Sequence, residues 1–167
     1  LRSFGFLTLK PVVGVVNIGE QQLADPPAMT DPHGATLFAA CAVIESEIIQ
    51  IEPADRRAFM AEYGISDLVR DRIIRACYDA LGMISFLTTG EDEVRAWPIP
   101  RGATAVEAAG KIHSDLARGF IRAETVAFSD LCAAGSMRDA KAGNKVRLEP
   151  KGYVVADGDV MNIKFNV

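Results

Sequence analysis

The hydrophobic period changes once along this chain, and the change limits what it can fold into. Before Gly82, Val69, Ile73, Ala76, Cys77 and Ala80 recur at three- and four-residue steps, the stripe of an amphipathic helix. After Gly82, "MISFLTTGEDEVRAWPI" reads as two strand-like runs around a Gly-Glu-Asp turn, a β-hairpin. At the end of the chain Met161, Ile163, Phe165 and Val167 alternate with Asn162, Lys164 and Asn166, a strand with one buried and one wet face. We place the boundary near residue 82. The chain is therefore α+β, with 167 residues to supply one or two cores.

The first part begins with "FLTLKPVVGVVNIG", too rich in Gly, Pro and β-branched residues for a long helix. Residues 12–17 predict a buried parallel strand. Residues 22–35 are a Pro/Asp/Gly loop, and 36–42 a second short buried strand. A helix follows, with Cys41, Ile44, Ile48 and Ile51 near helical spacing. Residues 54–63 predict a short helix stopped by Gly64, and Ser66 is placed to cap the next one. Strand, loop, strand and helix in that order suit the tail of an α/β nucleotide-binding domain.

The second part continues with a capping box, Thr104-Ala-Val-Glu107, opening one helix through about Leu116 that ends at Gly119. "FIRAETVAF" predicts a strand. Ser129 and Ser136 are each placed to cap a short helix. "KVRLEP" and "YVVADGDVMNIKFNV" predict the last strands, turning at Asp157-Gly158. Hairpin, helix, strand, short helices and strands describe a β-grasp, or ubiquitin-like, plan.

Asn17-Ile18-Gly19-Glu20 is the first candidate site. In nucleotide-binding G domains a strand-end Asn ties loops together and an acidic residue three positions on reads guanine. Glu20 is one methylene longer than the usual Asp. A Glu turned aside, with the Ile18 backbone meeting an exocyclic amine, suits adenine better. Four residues of this kind also occur in ordinary strand-end turns. Cys41-Ala42 adds a second loop at the end of the neighbouring strand, where a backbone N–H meets the base in such domains. No phosphate site accompanies them. The chain has no G-x-x-x-x-G-K-[ST], and its one Gly-Lys pair, Gly110-Lys111, lies in a predicted helix. Asp31-Pro-His-Gly34 reads as a turn rather than a magnesium loop. No catalytic residue and no metal ligand set is assigned. Cys41, Cys77 and Cys132 are widely spaced and predict free thiols.

The net charge of −4 gives no general signal for polyanions. It is uneven, however: residues 1–82 hold seven Lys/Arg against eleven Asp/Glu, whereas residues 83–167 hold eleven of each. Arg95, Arg101, Lys111, His113, Arg118 and Arg122 follow one another through the hairpin, helix and next strand. They are candidates for RNA or ribosome binding, with His113 or Trp97 as a stacking surface. Lys111 and Arg118 are seven apart and predict one side of one helix, while Arg95 and Arg122 share a sheet face if their strands are neighbours. His113 and Asp115, two apart on a helix, are not expected to meet.

"LTLKPVVGVVNIGE", "CAVIESEI", "EVRAW", "AAGKIHSDLARGFIRAE" and "DGDVMNIKFNV" together resemble the carboxyl-terminal half of the YchF-type ATPases, Obg-related P-loop proteins of the translation-factor class. The resemblance runs from about Leu7 to Val167. It implies that residues 1–52 are the carboxyl-terminal part of a G-type nucleotide-binding domain, 53–82 a helical linker and 83–167 a TGS domain. It further implies ATP or GTP with magnesium in a parent protein whose P-loop half lies upstream, ribosome association and a cytoplasmic location. Asn17, Ile18 and Glu20 then form the base-reading loop, and Cys41 and Ala42 the second base loop. Alone, the chain is expected to bind no cofactor and hydrolyse no nucleotide, and neither membrane nor DNA is expected as a partner. Pro98, the displaced Gly-Thr near Thr104 and the Pro-rich 22–35 loop depart from the family pattern, as a divergent paralogue does. The alternative is a TGS or ubiquitin-like protein-docking or regulatory module without nucleotide chemistry.

Overall fold

In the computed structural model the chain divides between Leu81 and Gly82 into two units. The structure describes residues 4–90 and 93–166.

In the first unit β1 (Val13–Asn17) and β2 (Thr36–Ala40) run parallel, in register from Val13 opposite Thr36 to Asn17 opposite Ala40. Gly14 leaves room for the Leu37 side chain of the neighbouring strand. A Cβ there would stand 2.5 Å from Leu37 Cδ2 on the neighbouring strand. Three helices follow: α1 (Ala42–Gln50), α2 (Arg56–Glu62) and α3 (Val69–Ala80). Ile18, Cys41, Ile44 and Ile48 form the core, with Phe59, Met60, Tyr63 and Leu68 packed against them. Ile51 lies just beyond α1.

Two expectations need correction here. The first strand is not buried: Val15 is 50% and Val16 40% exposed. With one strand neighbour, the sheet cannot cover both of its faces, and the core draws on β2 and α1 instead. Nor does Ser66 cap α3. Its hydroxyl bonds Asp67, and the helix starts three residues later, where Glu45 Oε1 of α1 accepts from the Val69 N–H at 2.8 Å. A carboxylate from another helix thus satisfies one of the first-turn donors.

The second unit holds β3 (Met83–Thr89), β4 (Val94–Pro100), β5 (Phe120–Ala127), β6 (Arg147–Glu149) and β7 (Asp159–Phe165) in the order β4-β3-β7-β5-β6. The hairpin pairs antiparallel throughout, from Met83 opposite Pro100 to Thr89 opposite Val94. Of its predicted turn, Glu91 and Asp92 lie outside the described residues, as does Val167 of the last strand. β7 runs parallel to β3 at Leu87–Val160 and antiparallel to β5. "YVVAD" forms no strand and contributes one isolated bridge, Thr104–Val154.

α4 (Ala105–Ile112) and α5 (Ser114–Arg118) cover one face, burying Ile84, Phe86, Ile99, Ala108, Ala109 and Met161. α6 (Phe128–Ala134) and α7 (Met137–Ala142) cover part of the other, over Val126 and Val160. Ser136 caps α7 as predicted, its Oγ accepting from the Asp139 N–H. Ser129 does not cap α6, which begins at Phe128. Phe165, at the end of the alternating strand, is 48% exposed.

The predicted single helix 105–116 is two helices. His113 takes an extended conformation (φ −160°, ψ 144°) and its Nδ1 accepts from the Asp115 N–H at 3.2 Å, capping α5. The imidazole offers the first turn of α5 an acceptor that a continued helix has no need of.

Asp159, only 2% exposed, is the buried polar centre of the unit. Its Oδ2 accepts from the Tyr153 hydroxyl at 2.8 Å and the Ala156 N–H at 2.9 Å, and Arg147 Nη2 reaches Oδ1 at 3.3 Å. Burial and the Asp159 carboxylate together push the Tyr153 phenol up from 10.0 to about 12. The folded state therefore holds this proton more tightly than the unfolded chain. The contribution is whole below pH 10 and lost as the pH rises toward 12. Unfolding free energy measured against pH should fall over that window, and Tyr153→Phe should flatten the fall.

At α4, the Glu107 carboxylate accepts from both the Thr104 N–H and hydroxyl, each at 2.7 Å. These bonds, the backbone one first, hold Glu107 below the usual carboxylate range. Thr104→Ala should lower the stability of the second unit by about 1 kcal/mol, read from the urea midpoint.

Candidate nucleotide-base site and basic surface

Asn17 ends β1 and Cys41 directly follows β2, so the parallel register brings both candidate loops to the carboxyl edge of the sheet. There Asn17 Oδ1 accepts a hydrogen bond from the Ala42 N–H at 3.1 Å, across 25 residues of sequence. The Ile18 N–H donates to Ala40 O at 3.0 Å, and the Ile18 side chain is buried. Two bonds therefore stitch loop 17–20 to loop 40–42. The Ala42 N–H, expected to face a base, is instead committed to Asn17. Val43 and Ile44 remain as first-turn donors of α1. Cys41 is 3% exposed, so its thiol packs in the core and its backbone shapes the loop.

Glu20 opens a short 3-10 turn (Glu20–Gln22), closed by Gln22 Oε1 accepting from the Gly19 N–H at 3.0 Å. Its carboxylate faces the Tyr63 hydroxyl. The Glu20 charge is the first cause raising the Tyr63 phenol above 10.0, followed by burial and nearby Glu47 and Glu62. Tyr63 stacks obliquely on Phe59, with centroids 5.0 Å apart, and packs on the Ile18 cluster. Sequence reasoning missed Tyr63. It lies after α2, and no local pattern links it to the Asn-x-x-Glu run.

Two hollows of this unit lie elsewhere. A cavity of about 670 Å³ is lined by Lys10, Asp31, His33 and Asp79 near the amino-terminal ends of the strands. An apolar groove of about 490 Å³ runs along Ala42, Ile49, Ile73 and Ile74. Asp31 Oδ2 accepts from the His33 and Ala35 N–H groups, as befits a turn. Among the described residues no group of three or more His, Cys, Asp or Glu is placed to hold a metal ion.

The six basic candidates do not share a face. β4 and β5 are separated by β3 and β7, which corrects the assumption that they are neighbours. Arg95 pairs with Thr88 and shares the sheet face of Trp97 and Ile99, at its exposed end. Its guanidinium lies 4.2 Å over the Trp97 ring and 3.8 Å from Glu93. Trp97 Nε1 donates to Thr88 Oγ1 at 2.9 Å, so this ring is already packed and bonded. Arg122 stands opposite Lys164 on the other face.

The break at His113 puts Lys111 and Arg118 on separate helices, so they do not form the predicted stripe. The same break brings His113 and Asp115 together, against expectation. His113 Nδ1 is 3.5 Å from Asp115 Oδ2, while Arg118 Nη2 bonds Asp115 Oδ1 at 2.7 Å. The exposed Arg101 sits in the turn after β4, its N–H donating to Gly82 O at 2.7 Å.

Two further cations emerge from the fold. Lys141 and Lys164 lie 3.0 and 3.5 Å from the Glu124 carboxylate. The Lys141 hydrogen bond, opposed by burial and assisted by both charges, lowers the Glu124 carboxyl below its usual range. Lys164 was legible as a wet position of the last strand. Lys141 was not.

A Bacillus subtilis (strain 168) protein named Ribosome-binding ATPase YchF is 45% identical over 176 residues, covering 100% of this chain and 48% of its own length. The protein of that name from Escherichia coli O157:H7 is 41% identical over 173 residues, with the same shares covered. The chain thus spans about half the length of the curated relatives it matches. A solved structure of the Schizosaccharomyces pombe YchF GTPase superposes with a TM-score of 0.84 at 28% identity, over 97% of this chain and 45% of that one. Residues 83–166 match the family YchF-GTPase_C, described as a protein of unknown function (DUF933). With both units accounted for by YchF proteins and the second matched by the family itself, this chain belongs to the YchF family, in its carboxyl-terminal part.

Proposed function

We propose that the chain is the base-reading and ribosome-associating part of a nucleotide-binding, translation-associated protein of the cytoplasm. The observation that carries the nucleotide half is the Asn17 Oδ1–Ala42 N–H bond. It joins two loops at the carboxyl ends of parallel strands, the place where α/β folds bind ligands. The Asn17, Ile18 and Glu20 loop and the Cys41-Ala42 loop then take the edge of a purine. Glu20, drawn toward Tyr63, leaves the base to backbone groups and Asn17, which suits ATP at least as well as GTP. The exposed valines of β1 support a place for this strand inside a larger sheet. Residues 1–52 are read as the end of a G-type domain and 53–82 as its helical linker. An upstream P-loop half supplies the phosphate and magnesium contacts.

For the second unit, the order β4-β3-β7-β5-β6, with first and last strands parallel at the centre, supports the reading of residues 83–167 as a TGS-like β-grasp domain. The relatives named Ribosome-binding ATPase YchF support ribosome binding as its role, and RNA is the partner proposed for it.

The chain by itself should bind ATP or GTP with a Kd of about 1 mM or weaker, since 1 mM already needs about −4.1 kcal/mol from base contacts alone. It should show no turnover. Amide shift changes on titration with ATP should gather at 17–20 and 41–44, and Asn17→Ala should abolish them. Micromolar affinity by calorimetry, or shifts elsewhere, would overturn the assignment of this site.

A further inference from the structure

On the sheet face of the second unit away from α4 and α5, Arg122 of β5 stands directly opposite Lys164 of β7. Like charges facing each other across two strands destabilise a sheet. The sheet keeps this pair on a solvent-facing patch: Lys164 and Lys141 have side chains 47% and 50% exposed, and Arg122 is exposed. The one carboxylate among them, Glu124, is 16% exposed and already shared between Lys141 and Lys164. Among the described residues no carboxylate pairs with Arg122. Arg138, exposed, stands one helical turn before Lys141 on α7. Three other cations of the unit have acids of their own: Arg95 with Glu93, Arg118 with Asp115, Lys145 with Asp130. The unit as a whole is neutral, so this concentration comes from the fold and not from composition.

We infer that Arg122, Lys141 and Lys164 form an anion-binding face that takes the phosphate backbone of single-stranded RNA, which rests on the ribosome association proposed above. An RNA phosphate between Arg122 and Lys164 relieves their repulsion. Lys141, anchored by Glu124, sets the next contact along the strand. Asn162, opposite Glu124 on the same face, adds a neutral donor. The face specifies charge and spacing but no base.

The test titrates the 167-residue chain with a short labelled oligouridylate, and separately with purified ribosomes, over a series of KCl concentrations. Each single-strand phosphate contact contributes about 0.7 to the slope of log K against log salt. Arg122→Gln with Lys164→Gln should therefore weaken binding and flatten that slope by about 1.4, with a melting temperature no lower than that of the unaltered chain. If the pair of changes impairs folding, Arg122→Gln alone should flatten it by about 0.7. Glu124→Gln, which releases two lysines, should tighten binding. An unchanged slope in the folded double variant, while the unaltered chain still binds, overturns this face and leaves the ribosome reading standing. Salt-insensitive ribosome binding with no affinity for oligouridylate also overturns it and assigns the contact to a ribosomal protein. Failure of the unaltered chain to bind either one at low salt overturns the ribosome reading itself.

Discussion

The turn Asp157-Gly158-Asp159 fixes the second unit, because it delivers the last strand into the middle of the sheet. Asp157 Oδ1 accepts from the Ser85 N–H and the Gly158 N–H donates to Ser85 O, each at 2.8 Å. Gly158 has φ of 79°, a backbone conformation that costs other residues more. One residue on, Asp159 is buried against Tyr153, Ala156 and Arg147. A buried carboxylate without such partners costs several kcal/mol, so the network settles where β7 begins. From that point Val160 meets Leu87 on one side and Val126 on the other. The parity of β7 then sends Met161 toward α4 and Lys164 to the open face. A slip of one residue would exchange those faces.

The first unit depends on a polar stitch of a different kind. Asn17 holds the start of α1 through Ala42, and Glu45, one turn into α1, holds the start of α3 through Val69. Both are side-chain acceptors reaching first-turn amides of helices distant in sequence. Loop 17–20 is thus braced by α1, and its Glu20 is drawn to Tyr63 beyond α2. A short parallel pair whose β1 valines remain exposed gains order at its carboxyl edge from these contacts.

Electrostatics in the second unit follow from topology more than from sequence order. Cations adjacent in sequence, from Arg95 to Arg122, fall on two faces and two helices. Cations far apart in sequence come together: Lys141 and Lys164 meet at Glu124, and Arg122 stands opposite Lys164. A hairpin places neighbours in sequence side by side, whereas a central last strand brings together residues some forty positions apart.

By itself the sequence determined the boundary at Gly82, the hairpin, the Thr104 cap, the Ser136 cap and the two loops, at 17–20 and 40–42, that meet at the carboxyl edge of the strand pair. Each rests on local periodicity or on a short pattern of fixed chemistry, which a helix or strand translates directly into geometry. The Asn17 tie was legible for the same reason, since a strand-end Asn stands beside the loop that ends the neighbouring parallel strand. Tertiary structure decided the rest. Glu45 replaced Ser66 as the helix anchor because an acceptor from another element reached Val69 first. His113 broke the helix because its ring capped α5, a choice that helical periodicity does not encode. Tyr63 beside Glu20, and the facing of Arg122 and Lys164, depend on which elements pack together. Long-range pairing is set by the burial of the whole chain, and no local window of sequence contains it.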